Sequence, residues 1–188
     1  MSGVILAGGR GSRMGGVDKG WVELDAKPLI ARAIERFGPQ VDELFISANR
    51  ALERYETLGY PVVRDEVPGF AGPLAGVHAA LKIARSEWLA SCPCDSPWLP
   101  LDLVARLYRA CVTHAARVSV ARSASGPHPV FALVQRAALP ALEDYLQSGG
   151  RRVGEWYRSM PHVEVEFEDE AAFANLNTLE DLARPPSA

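Results

Sequence analysis

Val4-Ile5-Leu6-Ala7-Gly8-Gly9-Arg10-Gly11-Ser12-Arg13-Met14-Gly15-Gly16-Val17-Asp18-Lys19 is the stretch that decides how this chain is read. A short apolar run, residues 4–7, reads as a buried strand that empties into a loop of glycines and cationic side chains. Glycine lets a backbone approach a ligand closely and turn successive N–H groups toward an anion. Arg10, Arg13 and Lys19 would then offset phosphate charge. Seven of the 16 glycines fall in the first twenty residues, so the enrichment is local. Two common phosphate templates fail. A dinucleotide fingerprint needs a small third glycine where Met14 stands, and a Walker A loop needs Lys-Ser/Thr where Val17-Asp18 follow Gly16. The stretch is a phosphate-loop candidate of another kind. Its alternative is a flexible surface turn, which three cations behind a strand argue against.

Beyond this loop, strand and helix patterns alternate. Pro28 opens a helix with Leu29, Ile30, Ala33, Ile34 and Phe37 at helical spacing, and Gly38-Pro39 stops it. A strand at 44–47, a short helix at 51–58 ended by Gly59, and a strand at 61–64 follow. Next come a helix at 74–85, a strand at 88–91, and a helix at 101–114 introduced by Pro100. Strands at 118–121 and 130–134 precede helices near 139–147 and 153–160. Glu164, Glu166 and Glu168 alternate with Val163, Val165 and Phe167, the period-two pattern of a strand with a solvated acidic face. This order predicts an α/β fold: three layers, α/β/α, with a Rossmann-like, mostly parallel sheet and helices on both faces. A single domain is expected over residues 1–183, with residues 184–188 a frayed tail.

Composition narrows the function classes. With 188 residues, 48% apolar and 23% charged, the chain is neither disordered, collagenous nor a coiled coil. Twenty basic residues against 23 acidic ones give a net charge of −3, which disfavours a nucleic-acid or membrane-surface partner. The longest stretch without Asp, Glu, Lys or Arg, residues 67–81, is 15 residues long and interrupted by proline and glycine. It is too short to span a bilayer. No secretory signal is expected, because the basic residues follow the first apolar run instead of preceding it. Cys92, Cys94 and Cys111 cannot form a closed disulfide set, and a cytoplasmic setting is expected. Cys92-Pro93-Cys94 also lacks the usual zinc spacing, and both thiols read as small packing residues.

In open α/β sheets, ligands bind beyond the carboxyl ends of the strands. Four strands run into polar or special residues: Gly8-Gly9-Arg10-Gly11, Ser47-Ala48-Asn49-Arg50, Asp65, and Cys94-Asp95-Ser96. Together they make one rim. Asp95, stiffened by Pro93 and Pro97 and set opposite a cationic loop, suits Mg2+, which takes one or two carboxylates with substrate phosphates and waters. A turn or helix-capping aspartate is the alternative. Asp65 reads as a second ligand, or as an acceptor for nucleotide hydroxyls or base amines. Trp21 and Trp98 read as core residues, with stacking on a heterocycle as the alternative. His78, His114 and His162 read as packing or surface.

Leu6-Ala7-Gly8-Gly9, Arg13-Met14-Gly15, Asp18-Lys19 and Ala26-Lys27-Pro28-Leu29 together resemble the N-terminal signature of nucleotidyltransferases. Ala48-Asn49-Arg50, Gly72-Pro73-Leu74-Ala75-Gly76, Cys92-Pro93-Cys94-Asp95-Ser96-Pro97, His128-Pro129, Gly150-Arg151-Arg152-Val153 and Asn175-Leu176-Asn177-Thr178 extend the likeness across nearly the whole chain. They make it most similar to the molybdenum cofactor guanylyltransferase family. The resemblance implies transfer of GMP from GTP to the terminal phosphate of the molybdenum–molybdopterin cofactor, releasing pyrophosphate. It also implies proteins that deliver or collect that cofactor. Leu6, Ala7, Gly8 and Gly9 would line the guanine nucleotide, Arg13 and Lys19 would hold its phosphates, and Asp65 would contact the nucleoside. Asp95 would bind Mg2+. Ser47 stands where the family often has Asn, and Asn49 is the alternative contact. Ala26 stands where a glycine is usual. His128, Arg152, Asn175 and Asn177 would face the pterin.

The acceptor already carries a phosphate oxygen, so no Ser, Cys or His need be activated, and positioning with charge stabilisation by Arg13, Lys19 and Asp95 would suffice. Three rivals follow from the same residues. A CTP-dependent cytidylyltransferase would act on molybdopterin or another small phosphate acceptor, but Gly8-Gly9 and Asp18-Lys19 favour guanine. A non-catalytic nucleotide-binding module would have no need of both Lys19 and Asp95. A sugar-transferring enzyme would want a second acid two residues from Asp95, where Pro93 and Pro97 stand.

Overall fold

Strand β1 (Ser2–Leu6) sends Val4 to one side of the sheet and Ile5 to the other, and both side chains are fully buried. Successive strand residues point to opposite faces, so a strand apolar on both needs cover on both. The computed structural model describes residues 1–8, 18–66 and 72–176. After β1 come a small hairpin of β2 (Glu23–Leu24) and β3 (Lys27–Pro28), then α1 (Leu29–Phe37), β4 (Glu43–Ser47), α2 (Leu52–Glu56) and β5 (Val62–Val63). The chain continues with α3 (Pro73–Ile83), β6 (Trp88–Pro93), α4 (Leu103–His114), β7 (Val118–Ser123) and β8 (Gly126–Gln135). It closes with α5 (Leu139–Gln147), α6 (Val153–Arg158) and β9 (His162–Glu166).

Seven strands form one sheet in the order β5-β4-β1-β6-β8-β7-β9. The β1–β4, β1–β6, β4–β5 and β7–β9 pairings are parallel, and β8 is antiparallel to both β6 and β7. Helices α1 and α4 pack Ile30, Phe37, Leu103 and Leu107 against Ile5, Ile46 and Cys92. On the opposite face α3, α5 and α6 pack Leu81, Leu142 and Trp156 against Val4, Phe45 and Val120. The mostly parallel three-layer α/β/α architecture expected from the sequence is therefore present. The chain leaves β1 for β4 on one side and later returns to β6 on the other, so the strand order reverses between β1 and β6. That switch point opens a crevice at the carboxyl ends of the two strands.

The differences from expectation are local. β6 runs two residues past Ser91, because Cys92 and Pro93 stay in parallel register with Ile5 and Leu6. β8 begins at Gly126 instead of Val130; Ser123 and Gly126 close a hairpin with β7, and a bulge between Val120 and Ala121 absorbs the shift. The acidic face of β9 is solvated at Glu166 and, just past the strand, at Glu168, while Glu164 is partly buried; Glu164 and Glu166 both pair with Arg122 of β7. Burial alone would raise the Glu164 carboxyl, but hydrogen bonds from Arg122 and Tyr157 hold it below its usual value. The expected tail, residues 184–188, lies outside the described residues. Among the described residues no helix is long and apolar enough to cross a membrane.

The β2–β3 hairpin was not legible beforehand, because its turn is Asp25-Ala26 instead of the usual Asn-Gly. Both residues sit at positive φ, 50° and 58°, as a two-residue hairpin turn of this hand requires. An alanine there carries left-handed strain of about 1–2 kcal/mol, of which greater unfolded-state freedom for glycine returns about 0.4–1 kcal/mol. Ala26→Gly is accordingly expected to stabilise the protein by about 0.5–1 kcal/mol, read as a higher unfolding midpoint in urea. A lower midpoint would contradict the strain at this turn.

Candidate active site at the strand ends

The four strand exits form one connected rim. Past β1, the Ala7 amide donates to the Ser47 carbonyl at 2.8 Å, and the Leu6 carbonyl accepts from the Cys94 amide at 3.1 Å. Past β4, the Ala48 amide donates to the Val63 carbonyl at 3.0 Å. The backbones of Leu6, Ala7 and Gly8 thus stand between Asn49 on one side and Asp95 on the other. Gly8 is a close approach: a Cβ there would lie 3.1 Å from Asn49 Nδ2.

Lys19 reaches Asp95 across the switch point, with Nζ 3.1 Å from Oδ2. The pair is partly buried, the side chains being 27% and 11% exposed. Lys19 is placed by what precedes and follows it. Asp18 Oδ1 caps the short turn Lys19–Trp21 by accepting from the Gly20 amide at 3.2 Å, and it also accepts from the Tyr55 hydroxyl at 2.5 Å. Burial, the neighbouring Cys94 thiol and Asp18 push the Tyr55 phenol well up, so it stays a donor. Gly20 has no side chain for the same reason, since a Cβ there would run into that hydroxyl. Tyr55, fully buried on α2, was missed in the sequence, where it reads as one apolar position of a short helix.

Asn49 and Asp65 clasp each other at two points. Asn49 Nδ2 donates to Asp65 Oδ2 at 2.7 Å, and Asn49 Oδ1 accepts from the Asp65 amide at 3.0 Å. Burial raises the Asp65 carboxyl above its usual value, and the bond from Asn49 only partly opposes this. Its other oxygen, Oδ1, is buried and without a hydrogen-bond partner among the described residues. Ser47 is placed differently: it is 2% exposed and packs where Gly76 of α3 leaves room.

On the other flank, Ser96 Oγ donates to Asn175 Oδ1 at 2.5 Å, and the Leu176 amide donates to the Asp95 carbonyl at 2.9 Å. The segment carrying Asn175 is therefore tied to the Asp95 loop. His128 stacks on Phe173 at 4.5 Å between ring centroids and meets Ser123 Oγ at 2.8 Å. Burial lowers the imidazole's affinity for a proton, Glu170 opposing it. Arg152 lies on the turn before α6, paired with Glu155 at 2.7 Å. Gly9, Arg10, Arg13 and Asn177 lie outside the described residues.

Other conspicuous side chains are occupied elsewhere. His78 is buried on α3, with Nε2 3.3 Å from Glu143 of α5. Trp21 packs on Tyr55 under the Arg54 guanidinium, and Trp98 packs against Leu24, Leu29 and Leu176. Cys92, Cys94 and Cys111 are buried free thiols, and burial raises all three. Among the described residues, no group of three or more His, Cys, Asp or Glu could hold a metal ion unaided.

Chemically, the described residues of the rim offer backbone donors, the Lys19 ammonium and the carboxylates of Asp65 and Asp95 around a crevice at a topological switch point. Known proteins similar to this chain bear on its family and fold. The MobA-like NTP transferase domain model matches residues 3–163. A molybdenum cofactor guanylyltransferase of Ralstonia nicotianae is 47% identical over 97% of this chain and 94% of the relative. One from Cupriavidus metallidurans is 46% identical over 97% and 92%. Among solved structures, the molybdopterin-guanine dinucleotide biosynthesis protein A of Archaeoglobus fulgidus superposes with a TM-score of 0.80 at 24% identity, covering 98% of this chain and 96% of that one. The 2-C-methyl-D-erythritol 4-phosphate cytidylyltransferase of Thermus thermophilus gives 0.72 at 15% identity, covering 97% and 95%. Those two likenesses bear on the fold alone. With the family model covering most of the chain and relatives nearly half identical along its length, this protein belongs to the MobA-like NTP transferases and is a nucleotidyltransferase.

Proposed function

We propose that this chain transfers GMP from GTP to the terminal phosphate of the molybdenum–molybdopterin cofactor and releases pyrophosphate. The observation that carries the reading is the Lys19–Asp95 pair at the carboxyl ends of the neighbouring strands β1 and β6. The relatives named molybdenum cofactor guanylyltransferase support the choice of nucleotide and acceptor.

In this reading the nucleotide lies across the carboxyl ends of β1 and β4. The backbones of Leu6, Ala7, Gly8 and Gly9 line it, and Asp65 accepts from the nucleoside. Lys19 and Arg13 hold the triphosphate. An oxygen of the acceptor's terminal phosphate attacks the α-phosphorus, a P–O bond forms, and the bond to the bridging oxygen of pyrophosphate breaks. The acceptor oxygen is already anionic, so no protein side chain has to remove a proton. The protein's part is alignment and charge placement. Asp95 and the phosphates fit Mg2+, since a lone hard carboxylate beside a phosphate site is the protein share such an ion usually takes. When bound there, the ion supplies Lewis-acid neutralisation of the phosphate oxygens. Asn175, tied to the Asp95 loop, and His128 beside it would face the pterin, together with Asn177 and Arg152. Buried, unpaired thiols favour a reducing cytoplasmic setting.

Thermal unfolding with a nucleotide panel tests the choice of base. At a hundredfold excess over Kd, a bound nucleotide adds about 2.7 kcal/mol, or roughly 5–11 °C for a chain of this size. GTP with Mg2+ is expected to give the largest rise. A larger rise with CTP and Mg2+ would transfer the reading to a cytidylyltransferase.

A further inference from the structure

Asn49 is hydrogen-bonded to the residue read above as the nucleoside acceptor, and both of its polar atoms are engaged there. Its amide nitrogen is committed to Asp65 Oδ2 at 2.7 Å and its oxygen to the Asp65 backbone amide at 3.0 Å. The two bonds close a ring in which β4's exit holds both the main chain and the side chain of β5's exit. This leaves Asp65 a single orientation, with Oδ2 satisfied and Oδ1 buried without a partner among the described residues. A buried carboxylate oxygen left unpaired costs free energy unless a ligand supplies the missing donor. Gly8 packs against the same Asn49 nitrogen, so the clasp also forms one wall of the crevice beside the β1 backbone.

We propose that Asn49 is a positioning residue for nucleotide selectivity: it does not touch the nucleotide, but aims Asp65 Oδ1 at an N–H or O–H donor of the nucleoside. This rests on the reading in which Asp65 accepts from the nucleoside. It also accounts for the buried Ser47 beside it, because the selective contact then passes through Asn49 and Asp65 and needs nothing from position 47. Loss of the clasp lets the Asp65 carboxylate rotate. It should therefore weaken binding of the matched nucleotide more than it slows the chemical step.

The test compares wild type, Asn49→Ala, Asn49→Ser, Asp65→Asn and the double variant by pyrophosphate release. The substrates are GTP, ITP (no 2-amino group), and 2′-deoxy-GTP and 3′-deoxy-GTP (each lacking one hydroxyl). In wild type, the analogue missing the donor read by Asp65 has the raised KM, which identifies that donor as a base amine or a ribose hydroxyl. Asn49→Ala is expected to raise KM for GTP about tenfold, the size of one hydrogen bond to a charged group, with kcat changed less than threefold. Its preference for GTP over that analogue should collapse toward one. Asn49→Ser, which restores a small donor, should recover part of the preference. The double variant should cost no more than Asp65→Asn alone, because both changes remove the same contact.

If Asp65→Asn loses the preference but Asn49→Ala keeps it, the positioning role is wrong and the nucleoside contact stands. Additive losses in the double variant would also overturn the role, since Asn49 would then act independently of Asp65. If Asp65→Asn keeps wild-type KM for GTP and every analogue, the nucleoside reading of Asp65 fails and takes this role with it.

Discussion

Asp95→Ala is expected to lower GTP-dependent pyrophosphate release by about 10²–10³-fold in a protein that still folds. The large effect follows from what the carboxylate does in the reaction. In the proposed reaction it would hold Mg2+ beside Lys19, at the reversal of strand order, where triphosphate charge must be offset while a P–O bond breaks. The small structural effect follows from how the loop is held. Its backbone is fixed by Cys94 donating to Leu6 and by Leu176 donating to Asp95, and neither bond uses the side chain. Lys19 is 27% exposed, so water can reach its ammonium in the variant. The loss of this part-exposed ion pair is therefore expected to cost about 1 kcal/mol or less. Unfolding midpoint and pyrophosphate release measured on one preparation separate the two effects. Turnover within threefold of wild type would remove Asp95 from the machinery.

Lys19→Ala is expected to cost about 10²-fold in kcat/KM, with Lys19→Arg recovering part of it because the positive charge remains. Here too the scaffold survives the substitution. Asp18, Gly20 and Tyr55 fix the turn that presents residue 19 through bonds that bypass its side chain. The Lys19→Ala/Asp95→Ala double variant should lose less than the product of the two single losses, because in the proposed reaction both residues serve the same triphosphate site. Multiplicative losses would mean that the two side chains work independently.

Much of this could be read in the sequence, and what could not has identifiable causes. Residues 4–7 were legible as a strand because an apolar run ended by glycines has few other uses, and α1 because its buried positions repeat at the helical spacing. The placement of Asp65 and Asp95 on one rim follows from a general property of α/β sheets, independent of any particular contact. Side-chain partners were not legible. Nothing in Asn49 or Asp65 alone marks a reciprocal clasp, since it exists only when β5 lies next to β4. Tyr55 carries no signal of its role because its hydroxyl matters only through Asp18, thirty-seven residues earlier in the chain. The β2–β3 hairpin is not legible in the sequence because Ala26 occupies a left-handed position that glycine normally marks.

Pyrophosphate release from GTP, with Mg2+, measured with and without molybdenum–molybdopterin, tests the proposed reaction most directly. Release is expected to depend on the acceptor, to equal the amount of GMP joined to it, and to be lost in Asp95→Ala. Release with CTP but not GTP, or none with any nucleotide when the acceptor is present, would contradict it.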